Sequence, residues 1–127
     1  MELLSGVTVG RVVISRHTLP AIRPVNHLID EGWVVIRTRQ DVSLVGSASV
    51  SGVVAYEADV LDPATWTGWS VTITGTASVV RATAELACYR GLLTRWVDGG
   101  GGADQVALIS PGNVSGYRLV RTGPAST

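Results

Sequence analysis

An alternation of apolar and polar residues runs almost unbroken from Trp69 to Val79. Successive side chains of an extended strand point to opposite faces, so this period of two predicts a strand with one apolar and one polar face. The apolar face carries Trp69, Val71, Ile73, Gly75, Ala77 and Val79. The polar face carries only small hydroxyl side chains, those of Ser70, Thr72, Thr74, Thr76 and Ser78. This uncharged face therefore meets either water or a partner that uses hydroxyl donors.

The rest of the 127-residue chain also reads as mainly strand, in one domain over residues 1–127. Closure leaves no strand edges, so a small closed barrel is favoured over an open sheet. Turn residues at Asp30–Gly32 predict a hairpin, and those at Ser110–Asn113 predict a turn that interrupts the last strand. The tail from Gly123 is expected to be loose. Strands are predicted at 7–15, 21–29, 33–38, 53–60, 69–80 and 105–109 with 117–121, and short helices at 42–50 and 82–96.

Two of these strands contain consecutive apolar residues, Val12–Ile14 and Val34–Ile36. A strand that is buried on both faces produces such runs, whereas a strand with one wet face alternates. In a six-stranded barrel the second buried face needs a cover, and a partner subunit would supply it. The runs therefore predict a homodimer.

All ten basic residues are arginine, and they balance ten acidic residues. Without lysine the chain cannot hold a substrate or cofactor as a lysine imine, and it cannot complete a Walker phosphate loop. The even charge balance predicts neither a nucleic-acid nor a membrane partner. The single cysteine, Cys88, fits a cytoplasmic protein and is expected to be a small core residue. His17 and His27 have no spacing typical of a metal site, so no metal is predicted.

Four motifs appear in an order that resembles a known family. They are "GRVVIS" at 10–15, "PVNHLID" with "GWVVIRT" at 24–38, "VVAYEADVLDPATWTGWSVTITGTA" at 53–77 and "DQVALISPGNVSGYRL" at 104–119. Together they resemble the pyridoxamine 5'-phosphate oxidase-like, FMN-binding split-barrel family of the actinobacterial type, over roughly residues 6–120. The resemblance implies a mainly β fold, a six-stranded split β-barrel that dimerises and binds FMN in grooves at the dimer interface.

The resemblance also implies which residues contact the cofactor. The "RT" pair and the loop after it would meet the phosphate, and Arg37 offers the planar fork that suits a phosphate dianion. The second strand and the strand that begins "GWSV" would line the flavin ring, and the Asn26 amide can both donate and accept there. The implied contacts are Arg37 and Thr38 for the phosphate and the ribityl chain, Ser43 for the phosphate, and Pro24, Val25, Asn26, His27, Trp69 and Ser70 for the ring.

The implied function is that of a flavin-dependent oxidoreductase acting on an unknown small substrate. In such a protein the cofactor carries the chemistry, and the sequence identifies no catalytic residue. His27 is the group near the ring whose ordinary pKa lies closest to neutrality. Two alternatives stay open: a deazaflavin in place of FMN, and a barrel that binds flavin without catalysis or has lost binding.

Ser43 marks the main departure from the family pattern, because many relatives carry a lysine where Ser43 aligns. Asp41 lies in the same loop and would repel a phosphate. We predict that Ser43→Lys tightens FMN binding about tenfold by adding a charge-assisted contact, and leaves riboflavin, which has no phosphate, unchanged. Fluorescence titration with both ligands measures this. Ser49→Lys adds the same charge six residues further along the chain. An equal gain in FMN affinity in that variant would contradict the alignment of Ser43 with the family lysine.

Overall fold

The computed structural model describes residues 2–16, 19–39, 52–93 and 104–121. These residues form a closed antiparallel barrel of six strands in the order β1-β2-β3-β6-β5-β4, with β4 paired to β1. The predicted mainly β split-barrel fold is confirmed. The elements are α1 (Glu2–Ser5), β1 (Val9–Arg16), β2 (Leu19–Asp30), β3 (Trp33–Arg39), β4 (Gly52–Asp62), β5 (Thr67–Val79), α2 (Thr83–Leu92) and β6 (Asp104–Leu119).

The turn between β2 and β3 has the chemistry that the sequence predicts. Asp30 pairs with Trp33, so the loop consists of Glu31 and Gly32, whose φ angles are 50° and 83°. Positive φ at both loop residues is typical of a two-residue hairpin turn that matches the twist of the flanking strands. Gly32 adopts this conformation without strain because it has no Cβ. The turn sets the pairing register of the whole hairpin.

The alternation along β5 is confirmed. Val71, Ile73 and Ala77 are buried in the barrel interior, whereas Thr74 and Thr76 on the opposite face are exposed. The interior cluster also receives side chains from the other strands: Val12, Ile14, Val25, Val34, Ile36, Val54, Tyr56, Ala58, Ala107 and Ile109. Within each strand the residues that enter this cluster are an even number of positions apart, as an alternation of period two requires.

The predicted turn at Ser110–Asn113 is wrong, because β6 continues through it as one strand of 16 residues. Thr74 pairs with Asn113 but Gly75 pairs with Pro111, so Gly112 is an extra residue and forms a β-bulge. Proline is tolerated in a strand at a bulge. A Cβ on Gly75 would collide with the carbonyl oxygen of Ser110, which explains the glycine there. The bulge lies just beyond Ile109, the last residue of β6 that pairs with β3.

The helix predicted at 82–96 is confirmed as α2, and the helix predicted at 42–50 lies outside the described residues. α2 packs over the outer side of β3, where Tyr89 and Leu93 cluster with Val35 and Val106. Val34, Val35 and Ile36 are all buried. The cover over the second face of β3 is therefore α2, so this apolar run does not itself require a partner subunit.

Cys88 is exposed on α2, so the expectation of a small core residue is wrong. Ten residues of mixed polarity make α2 the longest helix in the described part of the chain. No helix there is long and apolar enough to cross a membrane.

The short helix α1, which the sequence did not indicate, places Leu4 in the barrel core with its side chain fully buried. Nε2 of His27 lies 2.8 Å from the carbonyl oxygen of Leu4. A carbonyl only accepts, so Nε2 carries the proton, and Nδ1 accepts a hydrogen bond from the Tyr56 hydroxyl. His27 is 3% exposed, so this chain of bonds satisfies both ring nitrogens inside the core. It ties α1 to β2 and β4.

Gly10 on β1 has no side chain and so leaves room for the hydrogen bonds of His27. Gly10 lies beside the Tyr56 ring, and a Cβ there would overlap the Tyr56 hydroxyl and the Glu57 carbonyl oxygen. Gly10 also pairs with Val25, two residues before His27 on β2. The glycine lets the hydroxyl reach the imidazole where any larger residue would fill the gap.

Burial lowers the pKa of His27 from its ordinary value of 6.5, an effect that the bond to Leu4 partly offsets. Because the unfolded chain takes up this proton first, we expect the free energy of unfolding to fall as pH drops below about 6.5, until the folded pKa is passed. In His27→Gln, which cannot titrate, this part of the pH dependence should vanish. Urea unfolding at several pH values measures it.

His17→Gln is the control, since it removes the other histidine and should keep the slope. The raised pKa of Glu57 acts in the opposite direction, because a proton bound there favours the folded state, and it is common to all variants. The same slope in His27→Gln and wild type would show that another group causes the pH dependence.

Candidate functional site

The outer face of the β2–β3 hairpin brings together two of the residues that the sequence nominates. Asn26 pairs directly with Arg37 across the strands, and both side chains are half-buried. Directly opposed residues have Cβ atoms about 4.5–5.5 Å apart, so the amide and the guanidinium can serve one ligand group. An amide beside a guanidinium offers several donors and one acceptor, which suits an oxygen-rich anion.

Arg37 already has partners in α2. Its Nη1 donates to the carbonyl oxygens of Leu93 at 2.7 Å and Arg90 at 3.1 Å. The last carbonyls of a helix have no partner within the helix, so the guanidinium satisfies two of them. The contact fixes both the direction of the Arg37 side chain and the position of the helix end. Arg37 therefore has a structural role whether or not a ligand binds.

A second bond holds α2 near the hairpin turn. The Tyr89 hydroxyl donates to Oδ2 of Asp30 at 2.7 Å. This bond, together with burial, raises the pKa of Tyr89 to about 12, because the carboxylate stabilises the protonated hydroxyl. Tyr89 therefore remains a donor across the physiological pH range.

Three further nominated residues of β2 and β3 have side chains that are directed inward. Val25 is part of the apolar core, and His27 is bonded to Tyr56 and Leu4 there. Thr38 is buried, on the face of β3 opposite to that of Arg37, because neighbouring strand residues alternate. On the outer face a ligand would meet only the backbone of these residues. Pro24, the fourth nominated residue of β2, is exposed.

Trp69 and Ser70 lie elsewhere in the chain. Ser70 pairs with Tyr117 on β6, whereas Arg37 pairs with Val106, eleven residues away along the same strand. At about 3.3 Å per residue this corresponds to roughly 35 Å of strand. Because of this separation, the nominated residues form two groups within one chain, one around Arg37 and one around Ser70. Trp69 packs against the core. Ser43 lies outside the described residues.

A charged cluster on the outer face of β1, β4 and β5 was missed by the sequence analysis. Arg11 Nη1 lies 2.7 Å from Oε1 of Glu57 and 3.4 Å from Oδ2 of Asp59. The Ser70 hydroxyl donates to Glu57 at 3.5 Å. Partial burial and then the neighbouring Asp59 raise the pKa of Glu57, which Arg11 partly offsets. The spacing Glu57-Ala58-Asp59 was the available signal, because residues two apart on a strand share a face.

The cluster changes the interpretation of Ser70. Its hydroxyl is directed at a carboxylate of its own chain, so its donor is engaged in this structure. Thr72 pairs with Glu57 in the same row and is half-buried. Among the described residues there is no group of three or more His, Cys, Asp or Glu side chains that could hold a metal ion.

A six-stranded closed barrel with a helix packed over β3 and a polar hairpin face defines a split-barrel protein. The family model described as pyridoxamine 5'-phosphate oxidase matches residues 1–121, and the chain belongs to this family. The family resemblance drawn from the four sequence motifs is thereby confirmed.

Three relatives illustrate the similarity. An uncharacterized protein of Mycobacterium tuberculosis is 48% identical over 124 residues, which cover 94% of this chain and 80% of that protein. The FAD binding protein from Mycobacterium smegmatis is 32% identical with a TM-score of 0.69, covering 92% of this chain and 91% of that one. A conserved protein of unknown function from Corynebacterium diphtheriae is 31% identical with a TM-score of 0.70, covering 94% and 91%.

Proposed function

We propose that this chain binds FMN on the outer face of the β2–β3 hairpin and serves as a flavin-dependent oxidoreductase for a small substrate. The observation that carries the proposal is the direct pairing of Asn26 with Arg37 on that face. Family membership supports a flavin as the ligand, and so does the similarity to a mycobacterial protein named for FAD binding. A bound flavin would supply the redox chemistry, and the chain would hold and orient it.

The phosphate end of the flavin is the part that this pair fits best. The ribityl chain separates the flavin ring from the phosphate, whereas Asn26 and Arg37 face each other directly. Both side chains therefore suit one end of the ligand, and only the phosphate carries the charge that a guanidinium complements. We accordingly place Asn26 beside the phosphate or the nearby ribityl hydroxyls, while the ring extends away from the pair.

A homodimer would complete the site. The β6 partners of Arg37 and Ser70 lie eleven residues apart, so we propose that one flavin contacts both groups only where two chains contribute. The end of the β5–β6 ribbon near Ser70 also exposes large apolar side chains, including Tyr117, Leu119 and Val120. A partner that covers this end would remove them from water. We propose that this end of one chain lies against the β2–β3 hairpin of the other.

The cofactor is tested by titrating the purified protein with FMN, FAD, riboflavin and a deazaflavin while following flavin absorbance or fluorescence. We expect FMN to bind more tightly than riboflavin. Arg37→Ala should weaken FMN by one to two decades, because a charge-assisted bond contributes about 1.5–3 kcal/mol, and should barely change riboflavin. Arg23→Ala, at an exposed arginine of β2, is the control.

The outcomes separate the candidate ligands. A deazaflavin that binds where FMN fails would replace FMN in the proposal, and tighter FAD than FMN would identify FAD. Equal losses of FMN and riboflavin in Arg37→Ala would mean that Arg37 acts only by holding α2. Absence of binding by all four ligands at millimolar concentration would leave a barrel that has lost its flavin.

The dimer is tested by light scattering at micromolar concentration, where we expect a mass about twice 13.3 kDa. Tyr117→Ser should shift the protein toward the monomer, because it removes an apolar side chain that is 67% exposed at the proposed interface. Leu92→Ser removes an equally exposed apolar side chain from α2 and serves as the control. A monomeric wild type would contradict the shared site.

A further inference from the structure

The guanidinium that the proposed flavin site needs is held by the last turn of α2. Nη1 of Arg37 carries two hydrogens, and it donates to the carbonyl oxygens of both Arg90 and Leu93. Leu93 is the C-cap of α2, so these carbonyls belong to the helix end. The partial charge at a helix C-terminus is negative, which favours the cationic guanidinium.

The same partial charge opposes an anion at this position. A phosphate bound to Arg37 would lie close to the carbonyl oxygens that the guanidinium already contacts, and like charges at such distances repel. The carbonyl oxygens at the helix end and the phosphate would therefore both accept hydrogen bonds from the Arg37 guanidinium. Each weakens the other, because repulsion between them offsets part of the attraction that each has for Arg37.

We infer that the C-terminal turn of α2 and the phosphate of a bound flavin compete for Arg37, so that the docking of α2 limits the affinity of the site. This inference rests on the proposed function, since it takes Arg37 as the phosphate ligand. Coupling between two binding events is reciprocal. Loosening α2 therefore tightens FMN, and FMN loosens the last turn of α2. Riboflavin has no phosphate, so loosening α2 leaves its affinity unchanged and its binding does not loosen α2.

Tyr89 allows the docking of α2 to be weakened without changing Arg37. Its hydroxyl bonds to Asp30 near the hairpin turn, and its ring packs with Val35 and Leu93 beneath the helix. Phenylalanine retains the ring and removes only the bond. Tyr89 is thus a positioning residue in this proposal, because it acts on the ligand through the helix and Arg37.

The test compares FMN and riboflavin binding in wild type, Tyr89→Phe and Cys88→Ser. Cys88 is the adjacent exposed residue of α2 and is the matched control. We expect Tyr89→Phe to tighten FMN about three- to tenfold, the effect of one hydrogen bond, and to leave riboflavin unchanged. Cys88→Ser should bind both ligands as wild type does. A merely structural role for Tyr89 would change both ligands alike or neither.

Amide hydrogen exchange gives a second measurement. The Leu93 amide donates to the Tyr89 carbonyl at 2.9 Å, so its exchange reports on the last turn of α2. FMN should accelerate this exchange in wild type, and riboflavin should not.

The outcomes distinguish this inference from the proposed function. Unchanged or weaker FMN binding in Tyr89→Phe, or slower exchange with FMN, would overturn the competition while Arg37-dependent binding of FMN remained. FMN that bound only to Tyr89→Phe would support the competition strongly. Failure of FMN to bind either protein at millimolar concentration would overturn both.

Discussion

The pairing register of the β2–β3 hairpin is the constraint on which the rest of the structure depends. The turn at Glu31 and Gly32, with positive φ at both residues, sets Asn26 opposite Arg37. The same register directs His27 into the core and Val35 toward α2. A slip of one residue would reverse every side chain, because strand faces alternate with period two. The candidate site, the polar core and the helix contact would then be lost together.

The polar bonds in the core extend this constraint to the rest of the barrel. Nδ1 of His27 accepts from Tyr56 on β4, and Nε2 donates to the Leu4 carbonyl of α1. A buried polar group without a hydrogen-bond partner would cost about 1–3 kcal/mol of stability. The fold is therefore most stable when both ring nitrogens of His27 have their partners. They specify how α1 closes onto the strands, which apolar packing alone would leave less defined. Gly10 is part of the same arrangement, since it leaves space for the Tyr56 hydroxyl.

Local patterns in the sequence predicted the parts of the fold that local chemistry decides. The alternation of β5 and the turn at Glu31–Gly32 were predictable because strand period and positive φ are properties of short segments. The residues at Ser110–Asn113 carry the same kind of signal, yet pairing with β5 converts their turn into a bulge at Gly112. The apolar residues around Val35 showed that a cover was needed, but the pattern carried no information about whether a helix or a partner supplied it.

The candidate site was predictable to a smaller extent, for a related reason. Family motifs and side-chain chemistry nominated Asn26 and Arg37, and the hairpin register does bring them together. The partners of Arg37 in α2 are backbone carbonyls, which every residue has and which therefore leave no mark in the sequence. The inward direction of Thr38 followed from alternation, because a strand cannot present two successive side chains to one face. The family motif pairs Arg37 with Thr38 as joint ligands of the phosphate, whereas the strand directs their side chains to opposite faces.

Two of the ten arginines, Arg11 and Arg37, make contacts in the structure that suit a guanidinium better than a lysine ammonium. Nη1 of Arg11 lies within 3.4 Å of both Glu57 and Asp59, and Nη1 of Arg37 donates to both Arg90 and Leu93. In each case one planar group joins two acceptors on other parts of the chain. A lysine ammonium is more strongly hydrated and less pre-organised for such contacts. Under the competition that we propose for Arg37, the affinity for a flavin phosphate depends on how firmly the end of α2 holds the guanidinium. On that proposal, a substitution in α2 changes the affinity of the site while Arg37 itself is unchanged.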